Sequence, residues 1–373
     1  MVKTEYYKDL TKMNTFGMKV KARCFIEYDS VADLVDIEFE ELARPVLHIG
    51  GGSNLLFTDD FKGTVLHSKI DFIEILDEGP EVLVSVGAGV VFDDFCAWAA
   101  KEGLWGVENL SYIPGEVGAS AVQNIGAYGV EVKDVIRRVY CYDTVEEEFV
   151  SFGVEECEYG YRDSVFKDPE VKGRYIVTHV VFALSREPRP RLEYGHLKEA
   201  VSASLSGDPR IEPSVLTHPL AGGGMSPESN AETASRLTPM MVRKVIIKIR
   251  KEKLPEPSVK GSAGSFFKNP VIPMEHYLRI EAAAKAEFGP DYRVPHYDLP
   301  DGMVKVPAAW MIEQCGWKGK RSGGAAVWEK QPLVIVNYTG EAYPEEIVGL
   351  EKRIIASVKA KFGVELHPEV EHI

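Results

Sequence analysis

One serine hydroxyl is distinguished by its neighbours in the segment Gly261–Pro270. Ser265 lies between a turn of small residues and an aromatic pair, and a lysine and Asn269 follow closely. A neutral hydroxyl can donate a proton only to a strongly basic atom and only in a fixed geometry. Taken alone, the Gly-Ser-x-Gly-Ser pattern is more typical of a flexible loop than of a catalytic site.

Two charged residues are candidates for the same chemistry. Arg162 lies in the segment Tyr161–Ser164, and a guanidinium can hold a carboxylate at two points. Glu369 follows the segment Leu366–Pro368 near the end of the sequence. Taken alone, Arg162 is more typical of a surface ion pair, and Glu369 is more typical of an exposed carboxylate.

A run of glycines follows the predicted strand Val46–Ile49. Successive glycines let the main chain approach a ligand and turn its N–H groups toward a diphosphate. Because an apolar strand follows instead of a helix, the pattern is not a Rossmann fingerprint. A hairpin turn is the commoner explanation for such a run. The candidate ligand-binding residues are Gly50, Gly51, Gly52, Ser53 and Asn54.

A second segment of small residues runs from Ile113 to Gly129 and is predicted to be a long loop. Such a loop leaves space beside the main chain for a flat group such as an isoalloxazine ring, which needs apolar walls and backbone donors. The candidate residues are Pro114, Gly115, Val117, Gly118, Ala119, Ser120, Asn124, Ile125, Gly126 and Ala127.

The elements that must position these residues are predicted from length, periodicity and turn signals. A chain of 373 residues is expected to form more than one domain. We predict a strand over Val82–Val86, a helix after it that carries Phe92–Ala99, and antiparallel strands over 134–185. We also predict a helix that opens at Thr238-Pro239, runs through Arg250 and Lys251 and stops at Pro255, and helices around Glu275–Phe288 and over Pro344–Phe362. A stretch at about 204–236 lacks periodicity and is predicted to be a flexible insert.

Bulk composition narrows the class of protein. The formal charge of −14 argues against nucleic acid as the main partner. No apolar run approaches the roughly 20 residues of a membrane span, and no export signal is visible, so the cytoplasm is expected. The five cysteines and nine histidines show no metal-ligand spacing. We therefore expect buried, reduced thiols and no catalytic metal.

Four segments carry a family resemblance: Gly50–Asn54, Ile113–Gly129, Gly261–Pro270 and Leu366–Glu369. In this order along the chain they resemble the UDP-N-acetylenolpyruvoylglucosamine reductase family, flavoenzymes that make UDP-N-acetylmuramate for bacterial cell walls. The likeness extends from Asn14 to Glu369. It implies an α+β chain with the two-lobed FAD-binding fold of the vanillyl-alcohol-oxidase/PCMH type and a C-terminal α+β substrate-binding domain. The implied boundaries are 1–69 and 70–254 for the lobes, 255–363 for the substrate domain, and 364–373 for a segment that returns to the lobes.

The resemblance also implies a reaction. NADPH reduces FAD, flavin N5 delivers hydride to C3 of the enolpyruvyl group, and Ser265 donates a proton to C2. Arg162 and Glu369 stabilise the enolate. FAD is expected to be dissociable, because His48 near the glycine turn is better explained as a structural histidine than as a covalent attachment point. A monomer without an obligate protein partner is expected.

By position in the family's motifs, Tyr128, Tyr194, Lys253, Asn269 and Gln314 are implied substrate contacts, with Lys305 a weaker candidate. Tyr194 matches the substrate-clamping tyrosine of one subclass. Lys253 has a structural alternative, because a lysine at a helix C-terminus is stabilised by the helix dipole. The chain departs from the family at Ala121, where a proline is usual, and in the insert.

Two other functions remain open at this point. Another flavin oxidoreductase of the same fold, such as an oxidase of alcohols or sugars, would have no use for Arg162, Ser265 and Glu369 as a set. A catalytically inactive flavin-binding protein would carry the cofactor without turnover.

Overall fold

The computed structural model describes residues 1–206 and 237–373. The strands are β1 (Lys3–Asp9), β2 (Lys21–Tyr28), β3 (Val46–Ile49), β4 (Leu55–Leu56), β5 (Phe61–Ser68), β6 (Ile73–Glu78), β7 (Val82–Gly87), β8 (Gly126–Ala127), β9 (Val130–Glu131), β10 (Ile136–Asp143), β11 (Glu148–Gly153), β12 (Tyr175–Leu184), β13 (Val271–Pro273), β14 (Tyr297–Asp298), β15 (Met303–Lys305), β16 (Arg321–Ser322), β17 (Ala325–Val327), β18 (Ile335–Asn337) and β19 (Glu371–His372).

The α-helices are α1 (Val31–Val35), α2 (Phe92–Lys101), α3 (Val117–Gln123), α4 (Leu197–Ser206), α5 (Pro239–Lys253), α6 (Met274–Phe288), α7 (Ala308–Gln314) and α8 (Pro344–Phe362). Short 3-10 turns occupy Thr11–Met13, Glu108–Leu110, Val132–Asp134, Val165–Lys167 and Pro300–Gly302. Among the described residues, no helix is both long enough and apolar enough to cross a membrane.

The chain forms two compact units. The first comprises Met1–Asp9, Lys21–Gly52 and Phe61–Glu252, and the second comprises Leu10–Val20, Ser53–Asp60 and Lys253–Ile373. The junction after Glu252 lies two residues from the predicted boundary at 254. Leu10–Val20 and Ser53–Asp60 group with the C-terminal residues. The predicted boundaries at 69, 254 and 363 stay predictions.

The first unit contains two sheets. One has the order β1-β2-β5-β3, with β2, β5 and β3 parallel and β1 antiparallel at the edge. The other has the order β11-β10-β12-β7-β6 and is antiparallel throughout, as predicted for residues 134–185. Helix α2 packs on this second sheet, where the Phe95 and Phe182 ring centroids lie 4.6 Å apart. Alternate apolar residues of these strands supply the core.

The second unit is built from short strands and helix α8. Its sheets have the orders β13-β15-β14 and β16-β17-β18, and β19 pairs with β4 in parallel. Helix α8 begins at Pro344 and ends before Gly363, whose φ of 67° favours glycine. Its buried face of Ile347, Leu350, Ile354 and Val358 packs on β17 and β18.

Most predicted elements are present. Helix α5 begins where expected, with the Thr238 hydroxyl accepting from Met241 N–H at 3.3 Å. The five cysteines are free thiols, and Cys315 is the one that is not fully buried. Most of the predicted insert, residues 207–236, lies outside the described residues. Its first residues, 204–206, are helical and end α4.

One prediction of local structure is wrong. The segment Ile113–Gly129 is not one continuous loop, because Val117–Gln123 forms helix α3. Gly118 is glycine for a packing reason, since a Cβ there would lie 2.9 Å from the Ala88 Cβ. Val117 and Ala121 are fully buried. Packing of this face stabilises a helix that its glycine-containing sequence would not favour alone.

Candidate active site

The two glycine-rich segments meet within the first unit. A Cβ on Gly50 would lie 3.0 Å from the Ala119 Cβ, and one on Gly51 would lie 3.6 Å from the Gly115 Cα. Gly52 has a φ of 60° and Gly115 a φ of 122°, conformations that L side chains rarely adopt. The main chains of the two segments therefore approach closely at positions that have no side chain.

This arrangement fits an FAD molecule. Gly50, Gly51 and Gly115 are half-buried and have no side chains to cover their main chains, and Pro114 and Ala119 beside them are exposed. The Gly115 carbonyl accepts from Phe92 N–H at 3.0 Å. A diphosphate is bound well by main-chain N–H groups of this kind. The residues that would hold the cofactor here are thus those of the glycine turn and of the segment before α3.

Some of the predicted cofactor residues have their side chains in structural contacts. Val117, Gly118 and Ser120 are buried, and the Ser120 hydroxyl donates to Val117 O at 2.7 Å. The Asn124 amide donates to Gly160 O at 2.8 Å and to Glu131 at 3.1 Å.

The remaining predicted cofactor residues lie in several places. Ile125 packs on the core, and Gly126 and Ala127 form β8, which pairs with β9. Asn54 and Ser53 belong to the second unit, where Asn54 Nδ2 donates to Glu369 O at 3.1 Å.

The Arg162 guanidinium is held against the main chain that follows α3. Its Nη2 donates to Gly126 O at 2.6 Å and its Nη1 to Asn124 O at 3.3 Å. The residue lies in a tight turn closed by the Gly160 and Asp163 main chains, and its own φ is 56°. A non-glycine residue with a positive φ has a strained backbone, and such strain is concentrated at functional sites.

Lys167 supports this turn, and the sequence analysis did not identify it. Its ammonium donates to Arg162 O at 3.0 Å and to Gln123 Oε1 at 2.8 Å. It thereby links the end of α3 to the residue that carries the guanidinium. The available signal was its position five residues after Arg162, within reach of the same turn.

Two functional side chains, those of Tyr194 and Arg250, lie beside Tyr128 in the first unit. The Tyr128 and Tyr194 rings meet edge to face, with centroids 6.1 Å apart. The Arg250 guanidinium lies beside the Tyr128 hydroxyl and donates from Nε to Tyr112 O at 3.0 Å. Arg250 was predicted only as part of a helix. Its place three residues before Lys253, on the same helix face, was the signal for a second cation.

The segments of Ser265 and Glu369 are neighbours within the second unit. Phe267 forms an isolated bridge with Pro368, and Glu369 N donates to Phe266 O at 2.8 Å. On the other side, Ser265 bridges Val334, and Phe266 N donates to Leu333 O at 2.8 Å. The structure thus brings two of the predicted catalytic segments side by side. The third predicted catalytic residue, Arg162, belongs to the first unit.

The implied substrate residues of the second unit occupy different surroundings. Burial lowers the pKa of Lys253 below its ordinary value, and Trp328 Nε1 donates to Lys253 O at 3.2 Å. Asn269 Oδ1 accepts from Ala308 N–H at 2.9 Å, at the start of α7. Lys305 lies 5.5 Å from the Tyr297 ring centroid. Gln314 lines a cavity of about 230 Å³ between α6 and α8, and its carbonyl accepts from Lys361 at 3.0 Å.

His48 makes a structural contact. Its Nε2 lies 2.7 Å from the Tyr28 hydroxyl, and burial lowers its pKa to about 4. The imidazole is therefore neutral at physiological pH. Within the two described ranges, no three His, Cys, Asp or Glu side chains gather into a metal site.

Comparison with known proteins is consistent with this site. Residues 22–149 match the family profile of an FAD binding domain, and residues 256–373 match that of the UDP-N-acetylenolpyruvoylglucosamine reductase C-terminal domain. A Bacteroides fragilis protein named UDP-N-acetylenolpyruvoylglucosamine reductase is 46% identical over 366 residues, which cover 98% of each chain. This chain belongs to the UDP-N-acetylenolpyruvoylglucosamine reductase family.

Other members of the reductase family agree. Proteins with the same name from Chromobacterium violaceum and Porphyromonas gingivalis are 43% and 41% identical, covering 97% and 98% of this chain and 96% and 97% of theirs. A crystal structure of the Thermus caldophilus reductase superposes with a TM-score of 0.63 at 21% identity, covering 100% of this chain and 98% of that one. The predicted α+β FAD-binding fold with a C-terminal reductase domain is confirmed.

Proposed function

We propose that this chain reduces the enolpyruvyl ether of UDP-N-acetylglucosamine to UDP-N-acetylmuramate, with FAD as cofactor and NADPH as reductant. Family membership at 46% identity over 98% of each chain supports the reaction class. The observation that carries the proposal is the pairing of the Ser265 and Glu369 segments. The reaction would serve peptidoglycan precursor synthesis, for which we expect a cytoplasmic, monomeric enzyme with dissociable FAD and no obligate protein partner.

Bound FAD would supply the hydride chemistry that reduces C3 of the enolpyruvyl group, with NADPH as the source of the hydride. Arg162 would bind the adjacent carboxylate. When C3 gains hydride, negative charge develops on C2 and spreads onto that carboxylate, so a guanidinium there stabilises the transition state more than the ground state. The hydrogen bonds to Asn124 O and Gly126 O support this role, because they orient the guanidinium before substrate arrives.

Ser265 would donate the proton to C2, and Glu369 would stabilise the enol form of the carboxylate. A serine is a weak acid, so it needs a strongly basic carbon and a fixed position. The main-chain bridges on both sides of Ser265 support such a position. Glu369 lies on the neighbouring segment, where its N–H donates to Phe266 O.

The remaining predicted contacts would bind the uridine diphosphate part of the substrate. Lys253 would pair with the diphosphate, and Asn269 and Gln314 would contact the sugar or base. Tyr194 would close on the ligand beside Tyr128, with which it shares a ring contact. Lys305 is the weakest candidate of the set.

Anaerobic half-reactions test the proposal. The purified protein with bound FAD should be reduced by NADPH, and the reduced protein should be reoxidised by enolpyruvyl-UDP-N-acetylglucosamine at least as fast as turnover. Flavin and nicotinamide absorbance report the two steps. Bound flavin that neither NADPH nor the enolpyruvyl substrate affects would identify a catalytically inactive flavin-binding protein. Reoxidation by oxygen or by a carbonyl compound in place of the enolpyruvyl substrate would identify another oxidoreductase.

A further inference from the structure

A buried histidine lies between two carboxylates in the first unit. His67, at the end of β5, is 4% exposed. Its Nε2 is 3.0 Å from Glu116 Oε1, and its Nδ1 is 3.1 Å from Glu27 Oε2. Glu116 is itself 8% exposed. Both ring nitrogens face carboxyl oxygens. Ionised carboxylates only accept, so with both ionised each ring nitrogen donates a proton and the imidazole is a cation.

The Glu116 carboxylate lies against the glycine turn. A Cβ on Gly50 would be 3.3 Å from Glu116 Oε2, and one on Gly51 would be 3.9 Å from Oε1. Glu116 also occupies the N-cap position of α3, between Gly115 and Val117, but its side chain makes no capping hydrogen bond there. The carboxylate is therefore placed between His67 and the turn.

A carboxylate in this place is unfavourable for the proposed ligand. The glycine turn is where the FAD diphosphate is proposed to bind, and two negative groups a few ångströms apart in a partly buried site repel each other strongly. A buried, unpaired charge is also costly in itself. Both costs are removed when a cation is paired with the carboxylate on the side away from the turn.

We propose that His67 is a positioning residue for FAD. As an imidazolium, His67 binds Glu116 and cancels the negative charge that Glu116 would otherwise present to the cofactor diphosphate. The inference rests on the proposed placement of FAD at the glycine turn. It concerns the affinity for FAD and not the chemistry of the reduction.

The surroundings of His67 favour the cation. The groups that face it are Glu27 from β2, Glu116 before α3, Lys69 after β5, and the neutral His48 of β3. Burial lowers the pKa of His67, but the hydrogen bond and charge of Glu116 and the hydrogen bond of Glu27 outweigh it, so the pKa lies above its ordinary value. The proton is held below this raised pKa and lost as the pH rises through it. FAD affinity should therefore fall at alkaline pH.

A double-mutant cycle on FAD binding tests the inference. The apo protein is titrated with FAD and the quenching of flavin fluorescence gives Kd for wild type, His67→Gln, Glu116→Gln and the double variant. We expect His67→Gln to weaken FAD binding at least about tenfold, a difference of about 1.4 kcal/mol. Glu116→Gln should bind FAD as tightly as wild type or more tightly, and in the double variant it should restore most of the affinity lost in His67→Gln.

Two further measurements separate charge from packing. His179→Gln removes a histidine that stacks on Tyr140 in the second sheet and has no carboxylate partner among residues 1–206 and 237–373, and it should leave Kd unchanged. The rise of Kd with pH should disappear in Glu116→Gln. A double variant that binds FAD no better than His67→Gln, or a His67→Gln variant with wild-type affinity, overturns the inference. Failure of wild type itself to bind FAD would instead overturn the proposed function.

Discussion

Arg162 and Ser265 are held in place in different ways. The Arg162 guanidinium is oriented by its own hydrogen bonds to two main-chain carbonyls, and Lys167 bonds the carbonyl of the same residue. Ser265 is placed through its main chain, between Val334 on one side and the segment of Pro368 on the other. A long side chain has several rotatable bonds to fix, whereas a serine has one heavy-atom torsion. Positioning by side-chain bonds is therefore needed for Arg162, and a rigid main chain is enough for Ser265.

Replacement of Ser265 should have the largest effect on the rate of the reaction. Ser265→Ala should slow reoxidation by the enolpyruvyl substrate by about 10²–10⁴-fold, the range for loss of a general acid. Reduction by NADPH should be unchanged, because no proton at C2 is involved. Stopped-flow measurement of both half-reactions checks this. Ser258→Ala, an exposed serine of the same region, is the matched control. An equal loss in both half-reactions would show that Ser265 is structural.

Arg162→Lys tests the bidentate grip. An ammonium keeps the charge but cannot hold a carboxylate at two points, nor can it bond both main-chain carbonyls. We expect about a 100-fold lower kcat/KM for the enolpyruvyl substrate, the equivalent of one or two charged hydrogen bonds. Arg186→Lys, at an exposed arginine near Glu78, should be neutral. Near-normal rates for Arg162→Lys would remove Arg162 from the mechanism.

Lys167→Met sharpens the contrast between the two residues. The variant removes the bond to Arg162 O, so the strained turn should relax and the enolpyruvyl half-reaction should slow about tenfold, the value of one charged hydrogen bond. Lys167→Arg should recover much of the rate. Lys172→Met, at an exposed lysine, is the control. If the NADPH half-reaction falls as much as the other, Lys167 stabilises the fold in general and does not position Arg162.

The smallest effect concerns Lys253. Its pKa is lowered by burial, so its ammonium loses its proton at a lower pH than an ordinary lysine. The substrate diphosphate should bind the charged form, and KM should rise about two- to fivefold as the pH increases through that pKa. Lys253→Arg stays charged, so it should remove the dependence of KM on pH. Lys248→Met, at an exposed lysine of the same helix, should leave that dependence unchanged. A flat profile in wild type would contradict a diphosphate contact.

The accuracy of the sequence analysis follows the range of the interactions involved. Helix α8 was predicted at its observed bounds because proline at its start, glycine after its end and the 3.6-residue period are local signals. Helix α3 was missed because its stability depends on packing of Gly118 against Ala88, 30 positions earlier in the chain. The sequence assigned the predicted cofactor residues to two segments, but which of their side chains are buried in the core could not be inferred from composition.

By itself, the sequence determined the family, the periodic elements and the residue types that can hold a diphosphate, a carboxylate and a proton. Those properties are written in local patterns and in motifs that a single segment can carry. Tertiary structure decided that the glycine turn meets the segment before α3, that Lys167 supports the Arg162 turn, and that His67 lies between Glu27 and Glu116. These contacts join residues that have no regular spacing, and only the pairing of strands and the packing of helices brings such residues together.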